Sequence, residues 1–539
     1  MKLLRPANLA DATGGFSRAS TATYTDASGM VRTAAVNEPR LRYADISGTG
    51  AATGLLIEAA ATNLVLRSAE FDNAAWTKTA ATVEVNVAVA PDGTMTAERI
   101  VPTTTSTTHH FRRVVTVPAE AAPYTQSIYF RADGDYTTLR LRMSSGTTYL
   151  GDAVFNAATG AWVGNGGAAT RQAEQLAGGW WRVSVTYTSL AADTTVEAAF
   201  WLVQPGTAST TTFAGDGVGG IMVWGAQLER GSLTSYIPTV AASVTRAADS
   251  IASASGLLHS SVAETDAPEW SAATNYAVGA RVMRTQTHRV YEALVTGADS
   301  TPPESAPARW LDLGPTNRWA MLDQSVGTLT SASGALNVVL LPGFSTGLSL
   351  MELVGIEVVV TVRQHLGGPV VYQRTVPLDE TPLADWYEYF YSAPNSRTDL
   401  TLTDLPAIYG AEVCIAITGG APRCGLAAVG AVDALGDTEY GAGLGIVDYS
   451  RKDTDQFGRT AIVRRSFAKR MSARLVFPHA RLPRLFRLLS EVRATPCVWI
   501  ATDAPGYDPL AVFGFYRDFN IDVSFPAQHH CTLEIEGLI

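Results

Sequence analysis

The residues able to do chemistry are few, and their spacing argues against most of it. Gly343-Phe344-Ser345-Thr346-Gly347 has the G-x-S-x-G spacing of a nucleophile elbow, and the strand-like run LNVVLL precedes it. An elbow needs a helix directly afterwards, then an acid and a histidine in chain order. Here the surroundings read as antiparallel β and Pro342 opens the turn, so a Gly-rich loop is expected. His529-His530-Cys531 and His109-His110 carry metal-ligating side chains. Neighbours on a strand point to opposite faces and do not converge on one ion, so no metal and no cofactor is expected. Glycoside cleavage needs two carboxyl groups about 5 to 9 Å apart, one with a raised pKa. Asp133, Asp135, Glu229, Asp379 and Glu380 are available, most of them in turn-like segments, and sequence does not bring any two together. Asp133-Gly134-Asp135 lacks the ligand series of a calcium loop and reads as a solvated turn.

Aromatic rings offer a different chemistry. A sugar presents C–H-rich faces that lie well on a flat ring, and an exposed Trp or Tyr binds by contact area at little entropy cost. Trp270, Tyr276, Tyr291 and Trp310 crowd into the segment 268–316 and are glycan-binding candidates. A unit this small also needs aromatics for its own core, so the four divide between core and platform. Trp180-Trp181 adds two candidates: adjacent strand positions face opposite ways, so one ring packs inward and the other is covered or exposed. A third feature is charge. Between Arg451 and Arg493 there are twelve Lys or Arg and three acids. Such a run is a solvated face, a docking surface for an acidic partner or a nucleic-acid contact. The third lacks interleaved exposed aromatics and sits in a chain of net charge −10, so no nucleic-acid partner is expected.

The elements that position these residues are strands. Apolar residues make up 46% and charged residues 17% of the 539, enough for packed cores in three to five domains. Ala, Thr, Val and Gly dominate, with recurrent period-two alternation, which is strand composition. Met1–Pro6 starts like a signal peptide, but no apolar run follows it, and no stretch is long enough to span a bilayer. Cys414, Cys424, Cys497 and Cys531 form no C-x-x-C pair; Cys414 and Cys424 either bridge a hairpin or stay free and buried, the second being expected.

In chain order, 1–66 reads as an entry or adaptor segment. Residues 67–250 form a β-sandwich: TQSIYFRADG, YTTLRLRM, AVFNAATGAWV, WWRVSVTYTSL, EAAFWLVQ and GIMVWGAQLER alternate at roughly ten-residue intervals. Pro91-Asp92-Gly93 turns between two strands. A Ser/Ala-rich linker, 251–267, leads to the aromatic module at 268–316, expected as three strands. Residues 317–436 give a second sandwich, with DWYEYFYS among its strands and Leu366-Gly367-Gly368-Pro369 as a hairpin turn. The remainder, 437–539, reads as α+β, with one amphipathic helix over 480–492 in which Leu482, Leu485, Leu488, Leu489 and Val492 share a face. The expected class is mainly β: tandem jelly-roll or lectin-like sandwiches, a small three-stranded module and a C-terminal α+β domain.

Several phrases resemble known families. Trp270, Tyr276-x-x-Gly279, Val282, Tyr291-Glu292-Ala293, Pro302-Pro303 and Trp310 resemble the small chitin-binding modules of bacterial chitinases. Phe71-Asp72-Asn73-Ala74-Ala75-Trp76, Ala90-Pro91-Asp92-Gly93, Trp180-Trp181-Arg182-Val183, Gly225-Ala226-Gln227-Leu228-Glu229 and Ser235-Tyr236-Ile237-Pro238-Thr239 resemble the carbohydrate-binding-like jelly rolls of phage tail fibres. The resemblance to bacteriophage tail-tip or tail-fibre proteins implies a non-enzymatic virion component, made in the host cytoplasm, that recognises host polysaccharide or lipopolysaccharide. It further implies a homotrimer that docks to other tail or baseplate proteins and does not insert into membrane. The docking end is expected at the C-terminus, through Arg464, Arg465, Lys469, Arg470 and Arg474. A structural baseplate spacer, and a polysaccharide depolymerase or esterase with binding modules, are the alternatives.

Overall fold

The computed structural model describes residues 1–7, 9, 16–43, 50–166, 170–251, 256–298, 300–323, 327–381, 385–391, 395–454, 460–464, 467–504, 506–523 and 525–538. The chain is mostly β and divides into two units: Phe16–Gly50 with Leu55–Ala252, and Met1–Gly15 with Ala51–Gly54 and Ser253–Ile539.

The first of these is a sandwich of two six-stranded antiparallel sheets. One has the order Thr170–Gln175, Trp181–Thr188, Pro123–Arg131, Ile221–Arg230, Ala97–Pro102, Ala81–Ala88. The other runs Ala161–Gly166, Thr148–Asn156, Thr138–Ser145, Thr195–Leu202, His110–Thr116, Thr77–Thr79. Alternation sends Phe111, Phe130, Leu139, Leu141, Phe155 and Phe200 inward, where Phe71 and Trp76 join them. Trp76 donates its Nε1 hydrogen to the Arg67 carbonyl, so the indole is buried without an orphan donor. Gly93 has φ 87°, the positive value that its turn requires and a Cβ would oppose.

The outer face of the first sheet is covered. Tyr129, Trp180, Met222, Trp224 and Tyr236 form a second apolar cluster there, closed by Val31 from the N-terminal stretch. Beside it lies a buried ionic network that sequence patterning does not reveal. Asp249 accepts from Arg18 at 3.2 Å and Arg40 at 2.7 Å, all three side chains being fully buried. Arg40 also reaches Glu58 at 2.8 Å and Ser235 at 2.8 Å, and Arg246 donates to the Ala59 carbonyl at 2.7 Å. Burial acts to raise the Glu58 pKa, but Arg246, Arg40 and the Ser235 hydrogen bonds outweigh it and hold the carboxyl below its usual range.

In the second unit a five-stranded sheet, Gly256–Ser260, Ala335–Leu341, Glu412–Thr418, Glu357–Arg363, Val370–Pro377, packs on part of a long sheet. The long sheet runs Leu400–Leu402, Gly347–Met351, Leu426–Ala434, Lys2–Pro6, Cys497–Ile500, Ala511–Asp522, Gln528–Gly537, Phe467–Pro478, Asp437–Thr438. It therefore carries strands from both sides of Gly436. The N-terminal strand lies between them, Lys2 pairing with Ala434 on one side and Ile500 on the other. The hairpin turn at Leu366–Pro369 is present, with Gly367 at φ 65° and its N–H donated to Glu412 at 2.7 Å.

Two α-helices occur in this unit among the described residues. Helix α1, Trp386–Tyr391, replaces the expected strand in DWYEYFYS. Its rings have no sheet face to enter; instead they pair at i,i+4, Trp386 with Phe390 at 6.4 Å and Tyr387 with Tyr391 at 4.9 Å. Helix α2, Leu482–Glu491, matches the amphipathic expectation: Leu485, Leu488 and Leu489 pack against Met471, Leu475, Trp499 and Leu533. All four cysteines are free and buried.

Candidate functional site on the open sandwich face

The rings predicted from sequence lie mostly inside. In the aromatic module, Arg281–Arg284, Arg289–Ala293 and Trp310–Pro315 form the expected three-stranded sheet. Tyr291 and Trp310 are its core, with Val282 and Ala293, and are not sugar platforms. Tyr276 and Trp270 stay half-buried at the rim. Tyr276 meets Trp310 edge-on at 5.2 Å, and the Arg284 guanidinium, itself paired with Glu304 at 3.0 Å, lies 5.0 Å above Trp270. Trp180 and Trp181 face opposite ways, but both are used for packing. Trp180 is sealed in the cluster with Tyr129 and bonds the Val89 carbonyl; Trp181 packs on Phe155 and bonds the Ala157 carbonyl.

The basic candidates are also largely engaged. Lys469 is 2.6 Å from Asp399, Arg470 3.1 Å from Glu534 and Arg474 3.3 Å from Glu439. Arg464 is exposed, and Arg465 lies outside the described residues. The chemical motifs resolve similarly. Gly343–Gly347 passes into the strand Gly347–Met351 rather than a helix, with Ser345 buried. His529 and His530 diverge, His529 to His479 at 2.9 Å and His530 toward Glu439 at 3.1 Å. No metal-binding cluster occurs among the described residues. Asp133 pairs with Arg99 at 2.7 Å, and buried Glu229 accepts from Thr234 and Gln227.

The outward face of the second sandwich sheet is partly exposed among the described residues: Val114 and Tyr149 are exposed, and His110, Arg112, Arg142 and Trp201 are half-buried. Residues paired across strands share a face, so three rows cross it. His110 pairs with Trp201 and Trp201 with Arg140; Arg112 with Ala199, Ala199 with Arg142, Arg142 with Asp152; Val114 with Glu197, Glu197 with Ser144, Ser144 with Tyr149. Side chains from four strands stack along it. The His110 and Trp201 rings are parallel, 4.4 Å apart. The Arg142 guanidinium lies 5.1 Å from the Trp201 ring centre and 4.6 Å from that of Tyr149. Both faces of the indole are thus taken, whereas Tyr149, at the end of the row, is 46% exposed.

The charges on this face are not balanced. Arg112 pairs with Glu197, and Arg140 lies 3.5 Å from Asp152 and donates to the Ser209 carbonyl at 2.6 Å. Arg142 makes no ion pair among the described residues; two rings hold it by cation–π contact instead. Burial, with Arg112 and Arg142 adding to it, pushes the His110 pKa down to about 4. Burial, an Asp152 hydrogen bond and the Asp152 charge push Tyr149 up to about 12. The row is therefore a neutral imidazole, an indole, an uncompensated guanidinium and a neutral phenol, fixed on rigid strands. Such a surface supplies planar hydrogen-bond donors and ring area together, which suits a polyhydroxylated ligand bearing an acidic group. The sequence held one usable signal for it: in EAAFWLVQ, inward Phe200 and Leu202 require Trp201 to point outward.

The chain is a β-sandwich protein. No protein-family model matches it, and no curated protein matches it in sequence. Among solved structures, it is similar to the enzymatically active domain of bacteriophage CBA120 tailspike protein 4, at 12% identity and TM-score 0.21 over 31% of this chain and 21% of that one. A carbohydrate-binding module described for specific mannan recognition matches at 12% identity and TM-score 0.21, over 33% of this chain and 98% of that one. The CBM22 tandem domain of Paenibacillus barcinonensis Xyn10C matches at 10% identity and TM-score 0.21, over 70% and 99%. The chain spans about a fifth of the tailspike domain's length.

Proposed function

We propose that this chain is a glycan-binding component of a bacteriophage tail tip or tail fibre. It is carried in the virion, assembles with other tail proteins, and attaches to host surface polysaccharide or lipopolysaccharide without cleaving it. The tail context rests on the sequence phrases at 71–76, 90–93, 180–183, 225–229 and 235–239. The binding role rests on one observation: the Tyr149–Arg142–Trp201–His110 row on a partly exposed sheet face. An acidic sugar places its anionic group on Arg142 and a C–H face on Tyr149, while Arg112, Arg140, Glu197 and Asp152 meet the hydroxyls. Single contacts of this kind are weak, and repetition on a tail gives useful attachment by effective concentration.

The full-length chain on an array of neutral and acidic bacterial polysaccharides tests this. Acidic glycans give the signal, and Arg142→Ala or Tyr149→Ala each weakens it about tenfold, the size of one lost hot-spot contact. Silence on every glycan, or full retention in the double variant, sinks the reading. Reducing ends released from a bound polysaccharide on incubation would replace adhesion with hydrolysis.

A further inference from the structure

The C-terminal unit extends a two-stranded ribbon whose outer part is largely exposed among the described residues. Gly443–Asp448 pairs with Phe467–Pro478 from Gly443↔Ser472 to Asp448↔Phe467. The ladder resumes, shifted by one residue, between Arg451–Thr454 and Thr460–Val463. The neighbouring strand Gln528–Gly537 pairs with Phe467–Pro478 only from Arg470 onward, so before that residue the ribbon has no third strand among the described residues. A two-stranded ribbon alone is marginally stable in water, and its unpaired edges are templates for association.

The ribbon's composition is wrong for solvent. Met471, Ala473, Leu475 and Phe477 line the face buried with α2. Because paired residues share a face, that face continues through Leu444, Ile446 and Phe467, with Lys469 opposite Ile446 and Asp448 opposite Phe467, and with Lys469 tied to Asp399. Ile446 is 65% exposed, and farther out Ile462 is 75% exposed, with Tyr449 and Val463 also in solvent. Basic side chains accompany this stripe. Residues 443–474 contain eight Lys or Arg and three Asp, a net +5, which leaves −15 for the rest of the chain. The surface that complements a basic, apolar ribbon is acidic, and this chain's own remainder has that character.

We propose that the ribbon is an assembly arm that packs on a second copy of this chain. Leu444, Ile446 and Phe467 bury against the neighbour, and Arg451, Lys452 and Arg464 face its acidic surface. The arrangement is reciprocal: each copy contributes an arm and receives one, which closes an oligomer and covers the exposed apolar side chains of both arms.

Sedimentation velocity on the full chain over a wide micromolar range decides it. The wild type sediments as an oligomer, and Ile446→Glu/Phe467→Glu sediments as a monomer with unchanged circular dichroism, since both side chains are exposed in the isolated chain. Arg451→Glu/Lys452→Glu, which spares the apolar stripe, weakens self-association at least tenfold at low salt and much less at high salt. Hydrogen exchange supports the arm if amides of 444–448 and 460–463 gain protection in the oligomer. A wild type that stays monomeric, or an Ile446→Glu/Phe467→Glu variant that keeps the oligomer mass, overturns the proposal.

Discussion

The imidazole of His110 lies on the indole of Trp201 with ring centres 4.4 Å apart and planes 10° from parallel. The two are direct cross-strand partners, so the sheet register itself sets the stack. The stack needs a neutral imidazole, because Arg112 and Arg142 stand beside it and burial opposes its charge.

That requirement has a pH signature. The folded His110 pKa of about 4 lies below the unfolded value of 6.5. The unfolded chain takes up its proton first as pH falls, so stability drops from about pH 6.5 toward pH 4. Thermal unfolding of wild type and His110→Phe should show a smaller loss for the variant between pH 7.5 and 5. Equal losses would mean that His110 does not titrate in this way.

Glu98 gives the opposite sign. It is 2% exposed and accepts the Phe71 N–H at 2.7 Å and the Asp72 N–H at 3.2 Å. Burial raises its pKa from 4.5 to about 7 against those bonds. The folded state holds the proton more tightly, so this contribution is complete below pH 4.5 and is lost as pH rises through 7. Glu98→Gln should flatten the decline in melting temperature between pH 5 and 8; a slope equal to the wild type's would refute it.

The buried network predicts a large mutational cost. Asp249 neutralises Arg18 and Arg40 at once, with none of the three side chains exposed. Asp249→Asn leaves two buried guanidinium groups short of a charge partner and should cost about 3–5 kcal/mol in denaturant unfolding. Arg32→Ala, at an exposed pair with Asp26, should cost no more than about 1 kcal/mol.

Two tryptophans of one chain should behave as opposites. Trp310→Ala empties the core of the aromatic module and should cost about 3–5 kcal/mol. Trp386→Ala removes a ring that is 79% exposed on α1 and should change stability by no more than about 0.5 kcal/mol. Unfolding curves that rank them the other way would reverse their assignment as core and surface.

Local pattern was enough for what is local. Period-two alternation and turn residues such as Gly93 and Gly367 were enough for the sandwich strands, the three-stranded module and its hairpins. Helical spacing in LPRLFRLLSE was enough for α2, because a repeat of 3.6 with leucines on one stripe has one way to pack. Which of several like rings meets solvent depends instead on contacts between distant segments. Trp180 precedes one sheet strand and Trp201 lies in another; Val31 and Tyr236 close over the first, and the second stays partly exposed beside His110 and Arg142. The same reason kept the Arg18–Arg40–Asp249 network and the insertion of Lys2–Pro6 between distant strands out of reach. Burial and pairing there depend on segments hundreds of residues away, and local pattern carries no record of them.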